Sequence, residues 1–274
     1  MNELANIDGM SNADIMDAIG QSKGTNLPIL PKLSINRDAT DEEGNQLPVG
    51  VFKTYDTVSE QEVFGKPVKI RPFINNFQYM KYDEEKQEYS NRTVIFPTWD
   101  SPQEDILGTE KCGRIARKEW DNLTPDKLVE QKKIRCYRLV YGLLTMDGKT
   151  AGKESVKLEN YPVLYRVSGS NFNPIGTAIE SLGRRNKIMF RHNIILSDTE
   201  RRKTGSNVYY VAKTKIDDKQ IDFSDKDRET MDVFKAIIEK ENASVLELHN
   251  AVLKSKTNPQ DMVDAKVIEE VTAA

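Results

Sequence analysis

The stretch from Val68 to Tyr82 does most to limit what this chain can become, because it reads as one long strand. The polar run Asp83-Glu84-Glu85-Lys86-Gln87 turns it back, and Tyr89–Phe96 reads as the return strand. A two-stranded hairpin is marginal in water and needs further strands or a packed helix. The rest of the sequence offers both. Leu30–Asn36 and Val49–Tyr55 are short strands separated by the polar loop Arg37–Asn45. Lys133–Met146 is a strand ending at an Asp147-Gly148 turn. After the polar excursion Ala151–Asn160 come three more strands, Tyr161–Ser168, Ile188–Leu196 and Asn207–Lys215.

Helical signals are fewer. Short helices are expected over Pro102–Leu107 and Pro125–Gln131, the second started by Thr124 with proline in the first turn. After Asn173-Pro174, the residues Ile175, Ile179 and Leu182 share one helical face, and Gly183 stands where a C-cap belongs. Two helices are expected near the end, about Asp225–Lys240 with Met231, Phe234, Ile237 and Ile238 on its apolar face, and Ser244–Lys254 with Val245, Leu248 and Val252. Near the start, Ser11 could cap a short helix carrying Ile15, Met16 and Ile19. The pattern predicts a β-rich α+β fold. Either an OB-like five-stranded barrel with extra strands, one inserted helix and C-terminal helices, or a β-sandwich, accommodates it. The expected organisation is a flexible acidic leader over 1–26, a core over 27–216, and an acidic helical region over 217–274.

Charge is segregated along this plan. The chain has a formal net charge of -3, yet Tyr161–Lys215 holds ten basic residues and three acidic ones. Tyr161, Tyr165, Phe172, Phe190, Tyr209 and Tyr210 are interleaved with them. Residues 217–274 hold fourteen acidic and eight basic residues. Cations that track phosphates and rings that stack bases are what a single-strand binder needs.

Side chains alternate across a strand, so each face can be read by itself. In the long strand one face carries Lys69, Arg71, Phe73, Asn75, Phe77, Tyr79 and Lys81, and the other starts Val68, Ile70, Pro72, Ile74. The first face mixes rings and cations. It is either a binding face or a face whose Phe73 and Phe77 lie beneath a loop or an appended helix. The same reading places Lys133, Arg135 and Tyr137 together, then Lys187 and Arg191, then Tyr209, Lys213 and Lys215. Arg201, Arg202 and Lys203, in the Asp198–Ser206 loop, are either a clamp over a strand backbone or a solvated hairpin tip. Arg184 and Arg185 form a similar corner with Lys187.

Catalytic chemistry finds no carrier here. The sequence has no P-loop and no GxSxG. Asp83-Glu84-Glu85 falls on a hairpin tip and reads as a solvated turn. His192 alternates with apolar neighbours and reads as a core histidine, while His249 is expected at the surface. Cys112 and Cys136 lack CxxC spacing and read as reduced thiols. Neither catalytic residues, a metal nor a cofactor is expected, and a DNA-processing enzyme is disfavoured. No apolar run approaches the ~18 residues that cross a bilayer, and Met1–Gly20 lacks the pattern of a secretory signal.

Three segments carry a resemblance: Tyr161-Pro-Val-Leu-Tyr-Arg-Val-Ser-Gly-Ser-Asn-Phe-Asn-Pro-Ile-Gly, Phe190-Arg-His-Asn-Ile-Ile-Leu, and Thr204-Gly-Ser-Asn-Val-Tyr-Tyr-Val-Ala-Lys. With the opening Leu30-Pro-Lys-Leu-Ser-Ile-Asn-Arg, they resemble the core of phage-encoded single-stranded DNA-binding proteins over roughly residues 27–216. The resemblance implies an OB-fold that coats replication or recombination intermediates in the cytoplasm of an infected cell. It also implies that Phe73, Tyr79, Tyr137, Arg191, Tyr209 and Lys213 face DNA, without catalysis. Many members recruit replication or recombination proteins through an acidic tail with a terminal aromatic. This chain ends Glu269-Glu270-Val271-Thr272-Ala273-Ala274, acidic but without the ring, which puts that recruitment in doubt. An oligomer is compatible with the reading. A virion structural or assembly protein is the alternative, although such a role does not require charge segregation.

Overall fold

The computed structural model describes residues 27–99, 103 and 111–257. The expected leader over 1–26, the short helix over Pro102–Leu107 and the stretch beyond residue 257 lie outside the described residues. Nine strands form one mixed sheet. They are β1 (Lys32–Ile35), β2 (Phe52–Asp56), β3 (Gln61–Gly65), β4 (Val68–Asp83), β5 (Glu88–Arg92), β6 (Ile134–Lys149), β7 (Ser155–Val167), β8 (Ile194–Thr204) and β9 (Asn207–Ile216). Among the described residues three α-helices accompany them: α1 (Pro125–Lys133), α2 (Phe172–Arg184) and α3 (Asp225–Thr257).

The strand order is β3-β2-β1-β7-β6-β4-β8-β9, with β5 on β4, and β3 also pairs β6. Five strands, β3-β2-β1-β7-β6, therefore close a ring, from which β4, β5, β8 and β9 extend. All its pairs are antiparallel except β1 with β7. The ring closes where Phe64 meets Lys149. Gly148 makes that approach possible, since a Cβ there would stand 2.6 Å from Val63 Cγ1 and 2.8 Å from Phe64 O. The expected Asp147-Gly148 turn is thus corrected. Gly148 is a close-approach residue inside β6, and the chain turns later, between Lys149 and Ser155. Strand β3 carries no long apolar run and escaped the sequence reading.

The long β4–β6 pair is the spine of the sheet. Its register runs Pro72↔Gly142 and then Ile74↔Tyr141, leaving Phe73 as an extra residue in β4. A proline cannot donate a ladder bond, so a bulge beside Pro72 costs little. Its consequence is large, because one extra residue moves every later side chain to the opposite face. Lys69 and Arg71 share a face with Leu143, whereas Phe77 and Tyr79 share the other face with Arg138 and Cys136.

Both faces are covered. Helix α3 lies on one, where Phe234 packs edge-on to Phe73 at 5.9 Å and against Tyr141 at 5.9 Å. Burying Phe234 and Ile238 there contributes roughly 1.5–3 kcal/mol each. Helix α2 covers the other with Ile175, Ala178 and Ile179, over a core of Leu33, Phe52, Val140, Leu144 and Val163. The face predicted for α2 is the face it buries. Its cap differs: Asn186, at φ 53°, takes the left-handed position expected of Gly183. Asn186 N donates to Gly183 O and Lys187 N to Leu182 O, both at 2.9 Å, which is the Schellman pattern.

Two expected C-terminal helices are one. Nothing in Lys240–Ser244 breaks a helix, and the Asn242 amide is engaged outside it. Ile95 N donates to Asn242 Oδ1 at 2.6 Å, and Asn242 Nδ2 donates to Ile95 O at 3.0 Å. Engaged this way, Asn242 does not compete for its own helix backbone. His249, expected outside, is buried on α3, while His192 is buried as expected, its Nδ1 3.3 Å from Asp217 O. At the N-terminus of α3, Ser224 and Asp227 form a reciprocal cap, the Asp227 N–H donating to Ser224 Oγ and the hydroxyl donating back to Asp227 Oδ2.

Candidate nucleic-acid interface

The ring-and-cation face read along Val68–Tyr82 is not an open groove. Arg71, Phe73, Phe77, Tyr79 and Tyr137, all expected to contact DNA, are buried. The bulge divides them. Arg71 and Phe73 lie under α3 with Tyr137, while Phe77 and Tyr79 lie on the opposite face beside Phe96 and Cys112. Tyr79 and Phe96 stack at 5.9 Å, and Tyr137 bonds its hydroxyl to that of Tyr89 at 2.6 Å. The Tyr89 hydroxyl is pushed up to about 12, first by burial and then by Tyr137.

Arg71 has a structural task. Its guanidinium donates from Nη1 to Asp227 Oδ1 at 2.9 Å, from Nη2 to Asp227 Oδ2 at 3.1 Å, and from Nε to Phe190 O at 2.6 Å. Burial raises the Asp227 carboxyl. The Ser224 amide and hydroxyl and the Arg71 guanidinium outweigh that and hold it below its ordinary value.

The other expected cations are dispersed. Four of them meet carboxylates: Lys69 with Asp217 at 3.7 Å, Lys133 with Glu130 at 2.8 Å, Lys187 with Asp218 at 3.2 Å and Arg202 with Glu200 at 3.0 Å. Arg184 and Arg185 end α2, where cations complement the helix dipole. Arg191 is half-buried in a 3₁₀ turn, Met189–Arg191, so the strand expected from Ile188 begins only at Ile194. The expected Asp198–Ser206 loop is instead strand. β8 carries Arg201, Arg202 and Lys203, and a two-residue turn opened by Gly205 at φ 60° leads into β9. Arg201, Arg202, Lys203, Lys213 and Lys215 come together on this hairpin as exposed cations, beside a half-buried Tyr209.

A different cation-and-ring site stands beside α1, and sequence reasoning missed most of it. A cleft of about 1330 Å³ is lined by Trp99, Arg114, Arg117, Trp120, Asp121, Lys132, Arg135 and Phe172 among others. Both tryptophans of the chain border it. Trp99 is 53% exposed. Trp120 is held in place, since its Nε1 donates to Ile115 O at 3.0 Å and the Arg117 guanidinium stands 4.7 Å from its ring. Asp121 is the single carboxylate among the described lining residues.

Each wall of the cleft has a local cause. Gln131, buried on α1, accepts from Ile115 N at 2.7 Å and donates to Gly113 O at 3.2 Å, fixing the segment that carries Arg114. Lys111 and Cys112 there adopt left-handed backbone, φ 47° and 57°, which is costly for residues with a Cβ. Arg114 then sits 5.3 Å from the Tyr79 ring. Phe172 is set by Arg138, whose guanidinium lies between Phe77 at 4.9 Å and Phe172 at 4.7 Å. Gly176 on α2 leaves room for that guanidinium. Burial pushes the Cys136 thiol up to about 11, so it is neutral at physiological pH. Among the described residues, no three His, Cys, Asp or Glu side chains are grouped to hold a metal.

The chain matches no known family model, no curated protein and no solved structure. The cleft must therefore be read from its own chemistry. It presents one exposed ring, Trp99, a second ring, Trp120, covered by Arg117, and the cations Arg114, Arg117 and Lys132, with Asp121 as the one carboxylate among the described lining residues.

Proposed function

We propose that this protein binds single-stranded DNA in the Trp99–Trp120 cleft, without catalysis and largely without sequence preference. The observation that carries the reading is the exposed Trp99 ring beside Arg114, Arg117 and Lys132, with the Arg117-stacked Trp120 across the same cleft. A base has a π-face whatever its sequence, so rings bind strands tolerantly, at about 1–3 kcal/mol per stacked base. Cations add a term that salt weakens. On this reading the five-strand ring serves as an OB-like barrel that holds the cleft rigid. The work done is the coating of replication or recombination intermediates in a phage-infected cell.

The test uses the protein's own fluorophores. Both tryptophans border the cleft, so oligo-dT should quench their emission as it binds. Affinity should fall with salt at a slope of about -0.7 per phosphate neutralised. Trp99→Ala should cost about 1–3 kcal/mol of affinity with little change in melting. Absence of binding at low salt, or full affinity in the Trp99→Ala variant, would defeat the proposal. The first of these results would favour a virion role.

A further inference from the structure

The β8–β9 hairpin has two unlike faces. Residues opposite one another across an antiparallel pair share a face. The register puts Asp198, Glu200 and Arg202 with Lys213, Val211 and Tyr209 on one of them. On the other it puts Thr199, Arg201 and Lys203 with Ala212, Tyr210 and Val208. The first face balances its own charge: Asp198 holds Lys66 at 2.9 Å and Glu200 holds Arg202 at 3.0 Å. The second carries no carboxylate. Arg201 and Lys203 are exposed there, and among the described residues neither has an ion-pair partner.

The root of this second face is fixed. Thr199 Oγ1 donates to Gly50 O, and the Tyr210 ring lies where a Cβ on Gly50 would stand, 2.7 Å from Cε1. The outer edge of β9 is tied to the cleft. Asn171 Nδ2 donates to Tyr210 O at 2.8 Å, and Ala212 N donates to Asn171 Oδ1 at 2.8 Å. Asn171 stands between Gly169 and Phe172, which both line the cleft. The connecting turn, Ser168–Asn173, holds no charged residue. The cleft and the cationic face are thus joined through a neutral turn.

We propose that the Arg201–Lys203 face of the hairpin is a second contact for the same DNA strand, taking phosphates of the segment that leaves the cleft. This rests on the cleft being the binding site for bases. The hairpin supplies point charges on a projecting ribbon, and the cleft supplies the rings. Such a contact lengthens the occupied site and steepens its salt dependence without adding base preference.

Oligonucleotide length separates the two contacts. An oligo-dT of roughly five nucleotides fills the cleft alone, while one of about sixteen reaches the hairpin as well. In the Arg201→Ala/Lys203→Ala variant the short oligomer should bind as in the wild type. The long one should weaken about tenfold at low salt, with its log–log salt slope shallower by about 1.4, two phosphates at about 0.7 each. Arg201→Glu/Lys203→Glu should weaken the long oligomer further and again spare the short one. Wild-type affinity and slope on the long oligomer in both variants would overturn the hairpin contact while leaving the cleft standing. Equal loss on both lengths would also overturn it, since the hairpin would then act on the cleft rather than beyond it. Failure of the wild type to bind either length would remove both readings together.

Discussion

At the scale of single residues, an aromatic ring serves as core or as open surface according to what packs over it. Tyr79 and Tyr137 look like Trp99 in composition, yet they are core and Trp99 is surface. Substituting Tyr79 or Tyr137 with Ala should therefore destabilise the fold by about 3–5 kcal/mol, the usual cost of removing a buried ring. A shift of the urea midpoint measures it. Intact stability in either variant would mean the ring is not core. A small substitution at Gly148 has a comparable logic. Gly148→Ala pushes a methyl into Val63 and the Phe64 carbonyl, and should cost about 1–3 kcal/mol by overpacking the ring closure. Unfolding curves without a shift would show that β3 yields freely.

At the scale of elements, α3 is the one whose role changes most. An acidic C-terminal segment reads either as a competitor for the DNA site or as an element packed on the core, and α3 packs on the sheet through Phe234 and Ile238. It covers Phe73, Leu139, Tyr141 and Leu143. Removing residues 225–274 should expose this apolar face and produce aggregation or dye binding, seen by light scattering and a hydrophobic fluorophore. A soluble truncated protein that binds oligo-dT more tightly would show instead that the segment competes with DNA. The β8–β9 hairpin changes in the other direction. The run Asp198–Lys203 looks like a loop because it is entirely polar, but a ribbon solvated on both faces gives a strand no apolar partner to display.

At the scale of the whole molecule, the Arg71–Asp227 pair joins the sheet to α3, and it makes stability depend on pH. The Asp227 carboxyl is held below its unfolded value of about 3.9. A depressed carboxylate contributes fully above that value, and the contribution is lost as pH falls through the folded value. Acid should therefore loosen α3 from the sheet. Asp227→Ala leaves the Arg71 guanidinium buried and unpaired, and should cost about 3–5 kcal/mol at neutral pH. It should also flatten the acid limb of the stability profile, measured by thermal melts between about pH 2 and 7. An unchanged acid limb would place the pH dependence elsewhere.

The sequence by itself determined whatever depends on near neighbours. Strand-length runs marked β4, β6 and β9, the Asn173–Leu182 spacing marked the buried face of α2, and Thr124-Pro125 marked the start of α1. Those signals are local, because a turn, a cap or a helical stripe is written within a few residues. The tertiary structure alone decided which faces stay open. A single extra residue at Phe73 reversed the alternation on which the groove reading stood. Closing the ring used Gly148, which locally reads as a turn. The cleft gathers Trp99, Arg114, Trp120, Lys132 and Phe172 from segments far apart in sequence, held by Gln131 and Arg138. No local pattern records such a meeting, since exposure is a property of what packs on top and not of the residue beneath.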